Sequence, residues 1–151
     1  MAAYRLYYYR LFAERLNRLE AEVAALVKAD PEGYKHHPSS KLLASVYRAI
    51  TQEVPANPDN PAFRLGSTLG AAHTHWRRVK KGLPQRYRLF FRFSSTPVSV
   101  IVYAWLNDEH SLRKEGAKTD VYAVFCRLLA HGKVSDNMES LLKDAELQSD
   151  F

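Results

Sequence analysis

Arg86-Tyr87-Arg88-Leu89-Phe90-Phe91-Arg92-Phe93 alternates between two kinds of side chain. Successive side chains of an extended chain point to opposite faces. Tyr87, Leu89, Phe91 and Phe93 therefore share one face, and Arg86, Arg88, Phe90 and Arg92 share the other. The first set suits a core, and the second lays guanidiniums along the far side. Upstream, Trp76-Arg77-Arg78-Val79-Lys80 has the same period and predicts a strand with Trp76, Arg78 and Lys80 on one face. Downstream, Val98 to Asn107 predicts another strand, and Ser94 to Pro97 the turn that folds it back antiparallel. Paired this way, the strands converge Arg78, Lys80, Arg86, Arg88 and Arg92 on one open, cationic sheet face.

The residues before this region supply the layer that covers the apolar face. Tyr4 to Tyr9 is aromatic and predicts a short strand. Phe12, Leu16, Leu19, Val23 and Leu26 then recur at helical spacing, with Arg15, Arg18, Glu20 and Glu22 on other faces, and Asp30-Pro31 ends the helix. A second helix follows Pro38, with Leu42, Leu43, Val46, Tyr47 and Ile50 as its stripe and Pro55 as its close. Pro55 to Pro61 reads as loop, and Phe63 to Gly70 as glycine-punctuated extended chain. After the sheet, Thr119 or Asp120 caps a helix running to about His131, with Gly132 as the stop. A last helix is predicted from Asp136 to Glu146. The pattern is α+β: a helical hairpin on one face of an antiparallel sheet, with helices at the C-terminal end.

The chain has 151 residues, 46% of them hydrophobic and 25% charged, which fits one domain with its own core, spanning 1–151. No apolar run is long enough for a membrane span. One cysteine, Cys126, excludes an internal disulfide, and a cytoplasmic location is expected. Formal net charge is +6. Asp136 to Phe151 contributes −4, so the remainder carries +10. Such a basic body suits a polyanion, nucleic acid above all.

Guanidiniums bind phosphate in bidentate fashion, and aromatic rings between them stack bases. Trp105-Leu106-Asn107-Asp108-Glu109-His110 adds an amide, two acids and a histidine at a strand's end, and Arg113, Lys118 and Asp120 follow. Asn107 and Asp108 also suit a simple turn. The histidines (His36-His37, His73, His75) lack metal-ligand spacing, and Cys126 reads as a core residue, so no metal site or other cofactor is expected. There is no glycine-rich phosphate loop.

Taken together, several segments resemble the YhaV family of toxins. They are Asn57-Pro58, Pro61-Ala62-Phe63-Arg64, Leu69-Gly70, Trp76 to Lys80, Arg86 to Phe93, Trp105 to Glu109, Leu112-Arg113, Gly116, Lys118-Thr119-Asp120, Tyr122 and Val124-Phe125. Tyr4 stands where that family typically has tryptophan. The loop Lys81 to Gln85 differs in length, and His110 replaces a more usual asparagine. The resemblance implies a toxin of a type II toxin–antitoxin pair with a RelE-like fold: a curved antiparallel sheet with a helical hairpin on one face and an active groove on the other. It further implies translation-dependent cleavage of mRNA, an antitoxin partner of the PrlF type, and joint binding of the pair to their own promoter DNA.

RNA breaks when a 2′-OH attacks the adjacent phosphate, and cations that align the backbone and absorb charge promote the step without a metal. Arg78 and Lys80 are the expected catalytic pair, with Arg88 as a further phosphate clamp and His110 as another candidate proton carrier. Arg86, Arg92, Asn107, Asp108, Arg113, Lys118 and Trp76 are expected to contact RNA. Two other classes remain open: a related-fold toxin that inhibits gyrase without cutting nucleic acid, and a nucleic-acid-binding repressor subunit.

Overall fold

The computed structural model describes residues 3–148. Its first strand, β1 (Arg5–Tyr9), runs directly into α1 (Arg10–Ala29). Leu6 and Tyr8 of the strand and Phe12, Leu16 and Leu19 of the helix belong to one apolar cluster, so the chain turns without leaving its core. Pro38 opens α2 (Pro38–Arg48) at the first helical position, where its missing N–H removes no helical bond. The helix continues through a wider turn (Ala49–Glu53) into α3 (Val54–Ala56). Pro55 explains the widening, because it has no N–H to offer. Val54 N donates back to Ala49, and the Ile50 carbonyl accepts the Tyr103 hydroxyl at 2.8 Å instead.

Four more strands follow: β2 (Arg77–Val79), β3 (Leu89–Ser94), β4 (Val100–Leu106) and β5 (Ala145–Gln148). The sheet order is β2-β3-β4-β1-β5. The α+β class is as expected, but the sheet is mixed: β1 lies parallel to β4 and antiparallel to β5. The β3–β4 hairpin causes this, because its second strand runs in the direction of β1 and docks beside it. A bulge between Phe90 and Phe91 pairs Phe90 with Trp105 but Phe91 with Tyr103. The extra residue breaks the alternation, so Ala104 and Trp105 pack on the same side while Leu106 turns to the hairpin side.

The largest departure from expectation concerns the second sheet face, which is not open. On one side the α1–α2 hairpin covers Leu6, Tyr8, Leu89, Phe91, Ile101 and Tyr103. On the other, α4 (Val121–Ala130) and α5 (Met138–Lys143) cover Tyr9, Trp76, Phe90, Val102 and Ala104. Phe125 stacks on Phe90 with ring centroids 4.1 Å apart and parallel to Trp105 at 5.8 Å. The α4 stripe needs an apolar surface, and Phe90 between the arginines provides it. The last helix is also shorter than expected. It ends at Lys143, and Ala145–Gln148 pairs with β1 as an edge strand. The end of the acidic segment, residues 149–151, lies outside the described residues. Phe63 to Gly70 is a series of turns with one bridge, Arg64 to Arg77, because Gly66 and Gly70 adopt left-handed backbone that breaks extension.

Candidate active site

β3 begins at Leu89, so the first three residues of the alternating run precede the strand. Arg86 has a φ of 73°, left-handed backbone that a non-glycine residue adopts only when held there. Asn107 holds it. Its side chain is fully buried just past the end of β4. Nδ2 donates to the Arg86 carbonyl at 3.0 Å and to the Ser111 carbonyl at 2.9 Å, and Oδ1 accepts from Arg88 N at 2.8 Å. Arg113 N donates to the same Arg86 carbonyl at 3.0 Å. One amide thus joins the segment before β3 to the segment after β4.

The consequence is an open cleft of about 460 Å³, lined by Lys80, Lys81, Leu83, Pro84, Gln85, Arg86, Arg88 and Arg113. Five of these carry positive charge, and no carboxylate is among them. Tyr122, from the first turn of α4, braces two of the guanidiniums. Arg88 Nε donates to its hydroxyl at 3.0 Å, and Arg113 lies over its ring at 5.1 Å from the centroid. Arg88 is only 7% exposed and also donates to the Tyr87 carbonyl at 2.8 Å. Arg113 donates to Asp120 at 2.8 Å. Burial pushes the Asp120 carboxyl up, but hydrogen bonds from Arg113, Lys114 N and Tyr122 N outweigh it and hold the group below the usual carboxylate range. The hydrogen bond to Asp120 raises the Arg113 pKa in turn. Asp120 also caps α4, so the helix start and the guanidinium are fixed by one side chain.

The expected residues separate into groups. Lys80, Arg86, Arg88 and Arg113 come together around the cleft. Arg78, in the middle of β2, stands opposite Phe90 and donates to the Arg64 carbonyl at 2.7 Å, outside the lining. Arg92 and Trp76 do not join the patch. Trp76 is fully buried against Phe125, and Arg92 lies over its ring. Both bond to Asp136: Trp76 Nε1 at 2.7 Å to the carboxylate, and Arg92 through the Asp136 carbonyl. The convergence of five cations predicted from alternation therefore fails at Arg92, because α4 and the residues after it cover that end of the sheet. Asp108 closes its loop, accepting from His110 N at 2.9 Å and the Ser111 hydroxyl at 3.2 Å. His110 is exposed and pairs with Glu109 at 3.3 Å, away from the cleft lining. Lys118 is exposed, and its carbonyl accepts from Arg127.

Reasoning from the sequence missed Lys81, Gln85 and the bracing role of Tyr122. The signal for Tyr122 was its place two residues after the capping Asp120, which points it back toward Arg113. Among the described residues, no three His, Cys, Asp or Glu side chains are grouped to hold a metal ion, and no helix is long and apolar enough to cross a membrane.

Residues 6–146 match the family described as a toxin with endonuclease activity, of a toxin–antitoxin system. The toxin YhaV of Escherichia coli O6:H1 is 44% identical over 142 residues, covering 93% of this chain and 91% of that protein. The ribonuclease toxin YhaV of Escherichia coli K12 is 43% identical over the same span and shares. No solved structure matches the chain. With nearly its whole length matched, the chain belongs to the YhaV family of endonuclease toxins from toxin–antitoxin systems.

Proposed function

We propose that this toxin is an endoribonuclease that cuts mRNA in the cytoplasm through attack of the RNA's own 2′-OH, in the cleft between Lys80, Arg86, Arg88 and Arg113. The observation that carries the reading is the lining of that cleft: five cations and no carboxylate. A scissile phosphate gains a second negative charge as the 2′-oxygen adds, and fixed guanidiniums are suited to absorb it. Arg88 and Arg113 are already oriented by Tyr122 and Asp120, so little reorganisation is needed at the reacting phosphate. Arginine does not release a proton near neutral pH. Lysine can carry a proton to or from a reacting oxygen, and Lys80, which follows β2 directly and lines the cleft with Arg88, is assigned the proton transfer. Arg78, on β2 two residues before Lys80, is assigned a phosphate next to the scissile one. The name of the E. coli K12 relative, a ribonuclease toxin, supports RNA as substrate.

In this reading cleavage depends on translation. A cognate antitoxin of the PrlF type neutralises the toxin, and the pair binds its own promoter. Mapping of RNA ends in a translating extract tests the core of the proposal. Fragments ending in 2′,3′-cyclic phosphate, lost in Lys80→Ala and Arg88→Ala, are expected. Intact RNA with stalled gyrase would overturn it.

A further inference from the structure

A second cavity adjoins the cleft, and the reading above does not use it. It holds about 200 Å³ between the α1–α2 hairpin and the segment Pro84 to Tyr87. Pro84 lines both cavities. Pockets for drug-sized ligands measure roughly 300 to 1,000 Å³, so this smaller space suits a single planar ring system.

Arg15 lies in this lining and is unexpected there. It is 5% exposed, although its place on α1 predicted a solvent face. Its Nε donates to the Asn107 carbonyl at 3.2 Å, and its terminal nitrogens have no hydrogen-bond partner among the described residues. The terminal nitrogens are not sealed off; they open to the cavity, where a ligand can accept from them. Leu42, Pro84 and the half-buried Tyr87 supply apolar walls, and Glu22 and Glu109 stand at the polar edge. Burial raises the Tyr87 pKa, with Arg15 opposing, so its hydroxyl stays protonated.

Two cations, Arg15 and Lys41, face two carboxylates, Glu22 and Glu109, so this lining carries no net positive charge for a phosphate, in contrast to the cleft next door. The lining instead offers donors from Arg15 and acceptors from the glutamates, between apolar walls. Guanine matches this: O6 and N7 accept from a guanidinium, and N1–H and the N2 amino group donate to a carboxylate. We propose that this cavity receives the guanine base of a nucleotide flanking the cleaved bond, read by Arg15 with Glu22 and Glu109. The inference rests on the ribonuclease reading for its role in cleavage. Asn107 ties the two sites together, since its carbonyl holds Arg15 while its side chain holds Arg86 and Arg88.

Two measurements test it. Guanosine, which has no phosphate, is titrated into the intact protein, and the Arg15 Nε–H is followed by NMR. A saturable shift is expected, with cytidine and Glu22→Gln/Glu109→Gln protein about tenfold weaker. Shifts confined to the cleft, no shift, or equal binding of cytidine overturns the proposal. In a translating extract, the double variant is then expected to lose about tenfold in the ratio of cuts beside guanine to cuts beside other bases. An unchanged preference overturns the base-reading role. Guanosine binding at Arg15 in a protein that cuts no RNA would instead uphold the pocket and overturn the ribonuclease reading.

Discussion

The side-chain amide of Asn107 and the main-chain carbonyl of Arg86 meet at 3.0 Å, and this contact holds Arg86 in left-handed backbone at the mouth of the cationic cleft. Asn107→Ala leaves buried partners unsatisfied at Arg88 N and the Ser111 carbonyl, each worth about 1 to 3 kcal/mol. Urea unfolding is expected to show a loss of about 2 to 5 kcal/mol. Cleavage should fall even where the variant is folded, because the segment carrying Arg86 and Arg88 is no longer fixed. Wild-type cleavage by folded Asn107→Ala protein would show that the amide does not position the site.

Arg88 tests the chemistry directly. Arg88→Lys keeps a charge but loses the planar fork that bonds Tyr122 and the Tyr87 carbonyl. Its cleavage rate is expected to drop about 100- to 1,000-fold, the range seen when one oriented donor is removed from a developing anion. Circular dichroism separates this from unfolding.

Arg92 and Asp136 form the opposite case. Asp136→Ala removes the acceptor of Trp76 Nε1, which lies far along the strand face from Lys80. Stability should fall by about 1 to 2 kcal/mol in a thermal melt, while RNA cleavage by the folded fraction stays at the wild-type level. A specific loss of cleavage would place RNA at this end of the sheet as well.

The Asp120–Arg113 pair predicts a pH dependence. The folded Asp120 pKa is depressed, so its contribution to stability is complete above the ordinary aspartate value of about 3.9 and disappears as pH falls through the lower folded value. Wild type is expected to exceed Asp120→Asn in unfolding free energy at pH 7, and the gap is expected to close below about pH 4. A gap that widens on acidification would contradict the pairing.

Salt should report the cleft's charges one at a time. Each phosphate contact with single-stranded nucleic acid contributes a slope of about −0.7 in log K against log salt. Arg86→Ala is expected to make the slope for an RNA oligonucleotide less steep by about that amount.

Much of this arrangement could be read from residue order. Alternation assigned Leu89 and Phe91 to the hairpin face and Phe90 to the other, as found. The helices at Phe12 to Leu26 and Val121 to Leu129 followed from their stripes, and Gly132 ends the second as expected. What period alone does not reveal is which layer lands on a face. Arg92 looked as solvent-facing as Arg88 until the residues around Asp136 were placed over it. The bulge at Phe90 was equally invisible, since it comes from strand pairing rather than from either strand. Arg15 was misjudged for the same reason: its acceptor, the Asn107 carbonyl, is 92 residues away. The cleft itself depends on such distant partners.

The place of β1 in the sheet bears on how the toxin comes into being. This strand is made before the other four, yet it sits between β4 and β5, pairing Leu6 with Ile101 on one side and with Gln148 on the other. Loop closure across such distances is slow relative to local structure. During synthesis, at roughly 5 to 20 residues per second, Leu6 and Tyr8 therefore wait for neighbours made near the end of the chain. The sheet therefore closes late: β1 lacks one of its two neighbours until Ala145–Gln148 has been made.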